Sequence, residues 1–216
     1  MGREAGVLLT IDMKQPEPWL VGRVANILRR GGVTILPTDT VYSFACALSN
    51  PRAVDRLYEV KGITPAKRLS ILVPDIQTAS RFTRGITNTM FRTMRRVLPG
   101  PYTFIFAASS DVPRVMLKKR RTVGIRLPDS PLTLAIIAEL GEPLLATSVR
   151  GQRDEFLLDP AAIDDDLGEQ VDLIVDGGLL ANEPSTVVDL SGPEPVVLRS
   201  GRGDISALGF QERERK

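Results

Sequence analysis

Gly31-Gly32-Val33-Thr34-Ile35-Leu36-Pro37-Thr38-Asp39-Thr40-Val41-Tyr42 is the stretch on which the fold turns. Its two glycines end a helical pattern, because Leu20, Val21, Val24, Ile27 and Leu28 recur at helix spacing within Glu17 to Arg30 and glycine is favoured just past a helix. Val33 to Leu36 then reads as a short strand, and Pro-Thr-Asp-Thr breaks it as a turn. With a strand at Val7 to Ile11 ahead of the helix, strand and helix alternate from the start.

The alternation continues outward. Asn50-Pro51 caps a helix running to about Val60, and helices are expected at Asp75 to Phe82, Thr87 to Leu98, Pro131 to Leu140 and Pro160 to Leu167. Strands are expected at Leu69 to Val73, Thr103 to Ala107, Thr122 to Leu127, Leu144 to Thr147, Val171 to Val175, Thr186 to Leu190 and Val196 to Leu198. No repeat and no Pro/Gly/Ser-rich linker interrupts them. The expectation is a single α/β domain over residues 1–216, an open twisted mixed sheet with helices on its faces, and a tail at 211–216.

The 216 residues contain no histidine and one cysteine, Cys46, set in the apolar run Val41 to Leu48 and read as core filler. An internal disulfide is excluded, as are zinc sites and nucleophilic triads that need imidazole, and haem is not expected. Asp164-Asp165-Asp166 is the one acidic trio, but consecutive helical residues point apart and the helix dipole accounts for carboxylates near a helix start, so no metal site is assigned. No apolar run reaches the roughly 18 residues that span a bilayer, and no leader pattern opens the chain. A cytoplasmic protein without a membrane partner is expected.

The net charge of +2 hides a division. Residues 52–126 hold sixteen Lys and Arg against four Asp and Glu, a net of +12, and residues 127–195 hold two against fifteen, a net of −13. The basic block suits phosphates, and Lys118-Lys119-Arg120-Arg121 is its densest cluster, a candidate RNA-binding site. The alternative is that the two blocks pair with each other in the fold.

Phosphate loops of the Gly-x-Gly-x-x-Gly and Gly-Lys-Ser/Thr types are missing. Small polar and basic residues instead follow strands, where open α/β sheets build their crevices: Thr38 and Thr40, Lys61 with Lys67 and Arg68, Thr103, Arg126, Ser148, Ser185 with Thr186, and Arg199. Singly, each has a bland reading as a turn, a helix-end cation or a strand start.

Their order, with Gly31-Gly32-Val33, Pro37 to Tyr42, Lys61-Gly62, Pro99 to Phe104, Gly124 to Pro128, Pro143 to Ser148, Ser185 to Asp189 and Leu198 to Gly201, resembles the YrdC/YciO family of threonylcarbamoyl-adenylate synthases over roughly residues 15–205. The resemblance implies a YrdC-like domain with a basic concave cleft, and chemistry joining L-threonine, bicarbonate and ATP, with Mg²⁺, into threonylcarbamoyl-AMP for the t6A modification of tRNA. No protein nucleophile is then required. It further implies substrate contacts from Thr38, Thr40, Thr103, Arg126, Ser148 and Thr186, and ATP or AMP contacts from Lys61, Lys67, Arg68, Arg150, Ser185 and Arg199.

Two departures fall in the nucleotide motifs. The synthases' Lys-x-Arg reads Lys61-Gly62-Ile63, and their Ser-x-Asn reads Ser148-Val149-Arg150, as in the YciO branch. Losing one hydrogen bond to a charged group costs about 1.5 to 3 kcal/mol, roughly 10- to 150-fold, so weak synthase activity is expected, with Arg68 and Arg150 as compensating candidates. Two alternatives accompany this reading: a non-catalytic module for double-stranded or structured RNA, and an enzyme acting on already modified tRNA. The extra C-terminal domain of longer synthases is not expected here.

Overall fold

The computed structural model describes residues 7–63, 69–117, 121–151 and 153–209. In chain order they form β1 (Val7–Thr10), α1 (Pro18–Arg29), β2 (Thr34–Leu36), β3 (Ser43–Ala47), α2 (Pro51–Val60), β4 (Ser70–Leu72), α3 (Ile76–Phe82), β5 (Thr83–Arg84), α4 (Asn88–Val97), β6 (Tyr102–Ala108), β7 (Thr122–Arg126), α5 (Pro131–Leu140), β8 (Leu144–Ser148), α6 (Pro160–Leu167), β9 (Leu173–Asp176), β10 (Thr186–Asp189) and β11 (Val196–Arg199).

The cap expected at Asn50 is present, and Ser130 supplies one that was not expected. Asn50 accepts from the Ala53 amide at 3.2 Å and Ser130 from the Thr133 amide at 3.3 Å, each followed by proline at the first helical position. Gly141 closes α5 in the left-handed region at φ 82°, where a Cβ would be strained.

All strands join one open mixed sheet in the order β1-β9-β2-β3-β8-β4-β7-β6-β10-β11, with β5 paired on β6. β3 was not among the expected strands. All five of its residues are buried, so it shows none of the polar–apolar alternation that marks a half-exposed strand. The trio Asp164 to Asp166 lies in the second half of α6 and not at its start, where Asp159 is the cap. The dipole therefore does not explain it. The pairing of charge blocks has at least one instance, Arg56 of α2 with Asp172 beside β9.

Strand alternation divides the molecule. Phe44, Ile71, Phe104, Phe106, Ile125, Leu145 and Val188 point to one face and form the larger core with α2, α3, α4 and α6. Leu36, Ala45, Ala47, Leu72, Leu144 and Ala146 point to the other, beneath α1 and α5. That second cover does not reach β6, β7 and β10. There Thr103, Ile105, Gly124, Arg126 and Val187 line a cavity instead of packing under a helix.

Candidate functional site

A cavity of about 260 Å³ occupies that uncovered region. Its floor is Ser43 of β3, Ser70 of β4, Gly124 of β7, Thr103 of β6 and Ala146 of β8, and its walls carry Thr40, Arg126, Ser148, Ser185 and Arg199. Apolar contact comes from Val41, Leu72, Ile105, Val187 and Leu198. The lining includes two guanidiniums and several hydroxyls but no carboxylate.

Arg126 ends β7 and reaches the loop after β2. Its Nη2 donates to Asp39 Oδ1 at 2.5 Å and to Thr40 Oγ1 at 2.6 Å, with Thr38 Oγ1 at 3.4 Å. Thr38 organises that loop: its hydroxyl donates to the Val41 carbonyl at 2.8 Å and accepts from the Thr40 amide at 3.2 Å. Burial pulls the Arg126 guanidinium below its ordinary value, and the Asp39 charge opposes the shift. Arg126 and Thr40 therefore reach the cavity, and Thr38 stands behind them.

Arg199 of β11 forks onto one residue, with Nε and Nη2 donating to the Ser185 carbonyl at 3.0 and 2.8 Å. Ser185 Oγ in turn lies 2.9 Å from Thr103 Oγ1. Burial lowers the Arg199 pKa first, and the positive charges of Arg150 and Arg126 lower it further. Arg126 and Arg150 are each paired with an aspartate, so Arg199, bonded to a carbonyl and a hydroxyl, is the cavity guanidinium placed to meet an anion.

Thr186 is not brought to the cavity. β10 alternates, so Ser185 and Val187 face the cavity while Thr186 is fully buried on the other side, its hydroxyl donating to the Gly203 carbonyl at 2.6 Å and accepting from the Gly201 amide at 3.0 Å.

Lys61 caps α2 and lines a second hollow of about 410 Å³ with Ile63, Arg150 and Asp154. Thr147 and Ser148 border both cavities. The Lys61 ammonium stands 5.5 Å from the centroid of Phe44. Arg150 is held firmly, its Nη1 donating to the Asp154 carbonyl at 2.7 Å and pairing with Asp154 Oδ2 at 2.9 Å, with its guanidinium carbon 4.1 Å from the centre of the Phe156 ring.

Lys67, Arg68, Lys118, Lys119 and Arg120 lie outside the described residues. Arg121 is exposed and its carbonyl accepts from the Ala108 amide. Among the described residues no group of three or more acidic or cysteine side chains is placed to hold a metal, and no helix is long and apolar enough to cross a membrane.

Asp39, Ser43, Ser70 and Arg202 were not assigned to the site from sequence. Asp39 lies within Pro37 to Tyr42, where its charge beside two threonines is the available signal. Arg202, whose Nη1 donates to the Asp39 carbonyl at 2.6 Å, gave none.

A family model for the Sua5, YciO and YrdC proteins, described as "Telomere recombination", matches residues 26–201. The chain belongs to the Sua5/YciO/YrdC family. Among its relatives, Escherichia coli K12 YciO is 38% identical over 197 residues, covering 90% of this chain and 95% of that protein. The threonylcarbamoyl-AMP synthase of Bacillus subtilis is 33% identical over 184 residues, 84% of this chain but 53% of the synthase, so this family member spans about half that enzyme's length. The crystal structure of E. coli YciO superposes with a TM-score of 0.88 at 35% identity over 94% of this chain and 99% of that one. Pyrococcus abyssi Sua5 complexed with L-threonine gives 0.85 at 27% identity over 90% and 57%. The family carries a link to threonylcarbamoyl-AMP chemistry, and this member has its fold.

Proposed function

We propose that the two neighbouring cavities bind L-threonine and a nucleotide, as in the threonylcarbamoyl-AMP synthases, and that synthase turnover is weak. The observation that carries this reading is the convergence of Arg126, Arg199, Thr40, Thr103, Ser148 and Ser185 on one cavity whose Ser148 border it shares with the Lys61 and Arg150 hollow. In the reaction, threonine's amine attacks the bicarbonate carbon, a C–O bond breaks, and water leaves to give a carbamate. A carbamate oxygen attacks the α-phosphate of ATP, the bond to pyrophosphate breaks, and pyrophosphate leaves. No step needs an imidazole or a protein nucleophile. This chain's residues orient the two anions and offset charge developing on phosphate.

Hydroxyls, guanidiniums and one carboxylate, Asp154, already paired with Arg150, make a poor magnesium cage, which needs several oxygen ligands. Mg²⁺ therefore enters as the counter-ion of ATP, held by phosphate oxygens and water. Ile63 supports weak turnover, since an aliphatic side chain packed against the larger core offers no charge to a departing pyrophosphate.

The same Ile63 favours, as the second reading, an enzyme acting on already modified tRNA, where no triphosphate needs neutralising. RNA contact is assigned to the basic block, with Lys118 to Arg121 replaced by alanine expected to flatten the salt dependence of binding. Calorimetry with threonine, AMP and ATP, followed by pyrophosphate release with all substrates, tests the proposal. Binding of threonine and nucleotide with slow release supports it, and absence of both bindings defeats it.

A further inference from the structure

The outward face of α1 takes no part in the cavity. Trp19, the single tryptophan of the chain, is 69% exposed, although an indole is among the most costly side chains to leave in water. Residues 19, 22, 23, 26 and 30 fall on one helical stripe, while Leu20, Val21, Val24, Ala25 and Leu28 take the buried one. The stripe forms an open hollow of about 490 Å³ beside the indole, lined by Gly22, Arg23, Asn26, Arg29 and Arg30, again without a carboxylate. A Cβ on Gly22 would meet nothing within 4 Å, so the hollow is vacant surface and not packed interior.

No carboxylate among the described residues is paired with these arginines. Arg29 is tied down by neutral acceptors, Nη1 to Asn26 Oδ1 at 2.5 Å and Nη2 to the Glu139 carbonyl at 2.8 Å. The ion pairs among the described residues involve Arg56, Arg126, Arg150 and Arg202, and neither Arg23 nor Arg30.

We propose that this face is a second binding site, separate from the cavity, for single-stranded nucleic acid, with the indole stacked on one base and Arg23, Arg29 and Arg30 meeting the phosphates that follow. Arg23 and Arg30 are seven residues apart, about 10 Å along the axis at 1.5 Å per residue. That distance spans roughly three phosphate steps of a stacked strand at about 3.4 Å each. A paired duplex offers no free base face to the indole. A lipid surface requires an apolar stripe, and that of α1 is buried against the sheet. A second copy would oppose three like charges to three. An acidic peptide would satisfy the charges and leave the indole idle, whereas a strand uses both.

Because Trp19 is the single tryptophan, its fluorescence reports on this face alone. The test titrates the protein with an oligoadenylate of about eight nucleotides, and with polyglutamate as a control. Saturable quenching by the oligonucleotide is expected, with an affinity that falls with salt at a logarithmic slope of roughly −2, the value for about three phosphates at −0.7 each. Replacing Arg23 and Arg30 with alanine should cut affinity about tenfold and flatten the slope. Trp19→Ala, read by anisotropy of a labelled strand, should also cost about tenfold, and Trp19→Phe should recover most of it.

Four results would each overturn the proposal: no quenching, equal quenching by polyglutamate, indifference to the arginine substitutions, or Trp19-dependent self-association in sedimentation without nucleic acid. Displacement of the strand by saturating AMP would also overturn it, placing the strand in the cavity and leaving the nucleotide reading intact.

Discussion

Arg126 and Asp39 face each other at 2.5 Å with their side chains 7% and 8% exposed, and Arg126 Nε and Asp39 Oδ2 have no hydrogen-bond partner among the described residues. A buried pair with spare donors and acceptors is held by geometry more than by completed bonding. Removing one partner strands the other charge, so Asp39→Ala is expected to cost about 3 to 5 kcal/mol in urea unfolding. The double change with Arg126→Met should cost less than the sum of the two single changes, because no lone charge then remains. Additivity would show that the two side chains act independently.

Ser185 and Thr186 separate ligand contact from support. Thr186→Val leaves the Gly201 amide and Gly203 carbonyl without their partner, an expected loss of about 1 to 3 kcal/mol in stability. Ser185→Ala removes a hydroxyl facing the cavity but leaves the carbonyl that holds Arg199. It should weaken ligand binding in calorimetry with little change in the unfolding midpoint. The reverse pattern would exchange the two roles.

The arrangement of Ile63 and Arg150 predicts that binding and turnover part company. Ile63→Arg should raise both ATP affinity and pyrophosphate release, about tenfold or more if one charged hydrogen bond is regained. Arg150→Asn alone should lower nucleotide affinity, since it removes a fixed guanidinium from the Lys61 hollow. Full synthase rates in the unaltered protein would mean that another cation performs the role.

Alkali should loosen the fold. Burial pushes the Cys46 thiol from 9.0 to about 12, and the Tyr42 and Tyr58 phenols from 10.0 to about 12. The folded chain keeps these protons where the unfolded chain has lost them. Their contribution is thus complete below about pH 9 and disappears as pH rises to about 12. The urea midpoint should fall across that window, and Cys46 should resist thiol reagents near pH 8 until the protein is unfolded. Rapid labelling of the native protein would contradict its burial.

Most of the fold was legible because helix ends announce themselves chemically: Asn50-Pro51 ahead of α2 and Gly31 after α1, at φ 87°, each do a job few residues can do. β3 was hidden because a strand buried on both faces carries no period to read. For the site, Arg126, Thr40 and Arg199 were legible by type and position after strands. Thr186 went astray by one residue, since type alone does not say which face of β10 a hydroxyl takes, and a one-residue step exchanges the faces. Asp39 was missed because its role depends on a partner 87 positions away.

The bare floor at Ser43, Ser70 and Gly124 has a consequence for how this protein changes over generations. Each floor residue has neighbours in its own strand, Phe44, Ile71 and Ile125, that look into the opposite core. Ligand preference is thereby insulated from foldability: the size of guest admitted can drift by exchanges among small side chains while the aromatic and aliphatic core stays as it is. Gly124 is the tightest point, where an added methyl would come within 3.0 Å of Ser70 Oγ and 3.3 Å of the Leu69 carbonyl. Ser43 is thus a position where a lineage can retune its guest, whereas a side chain at Gly124 requires Ser70 and the Leu69 carbonyl to give way by a few tenths of an ångström.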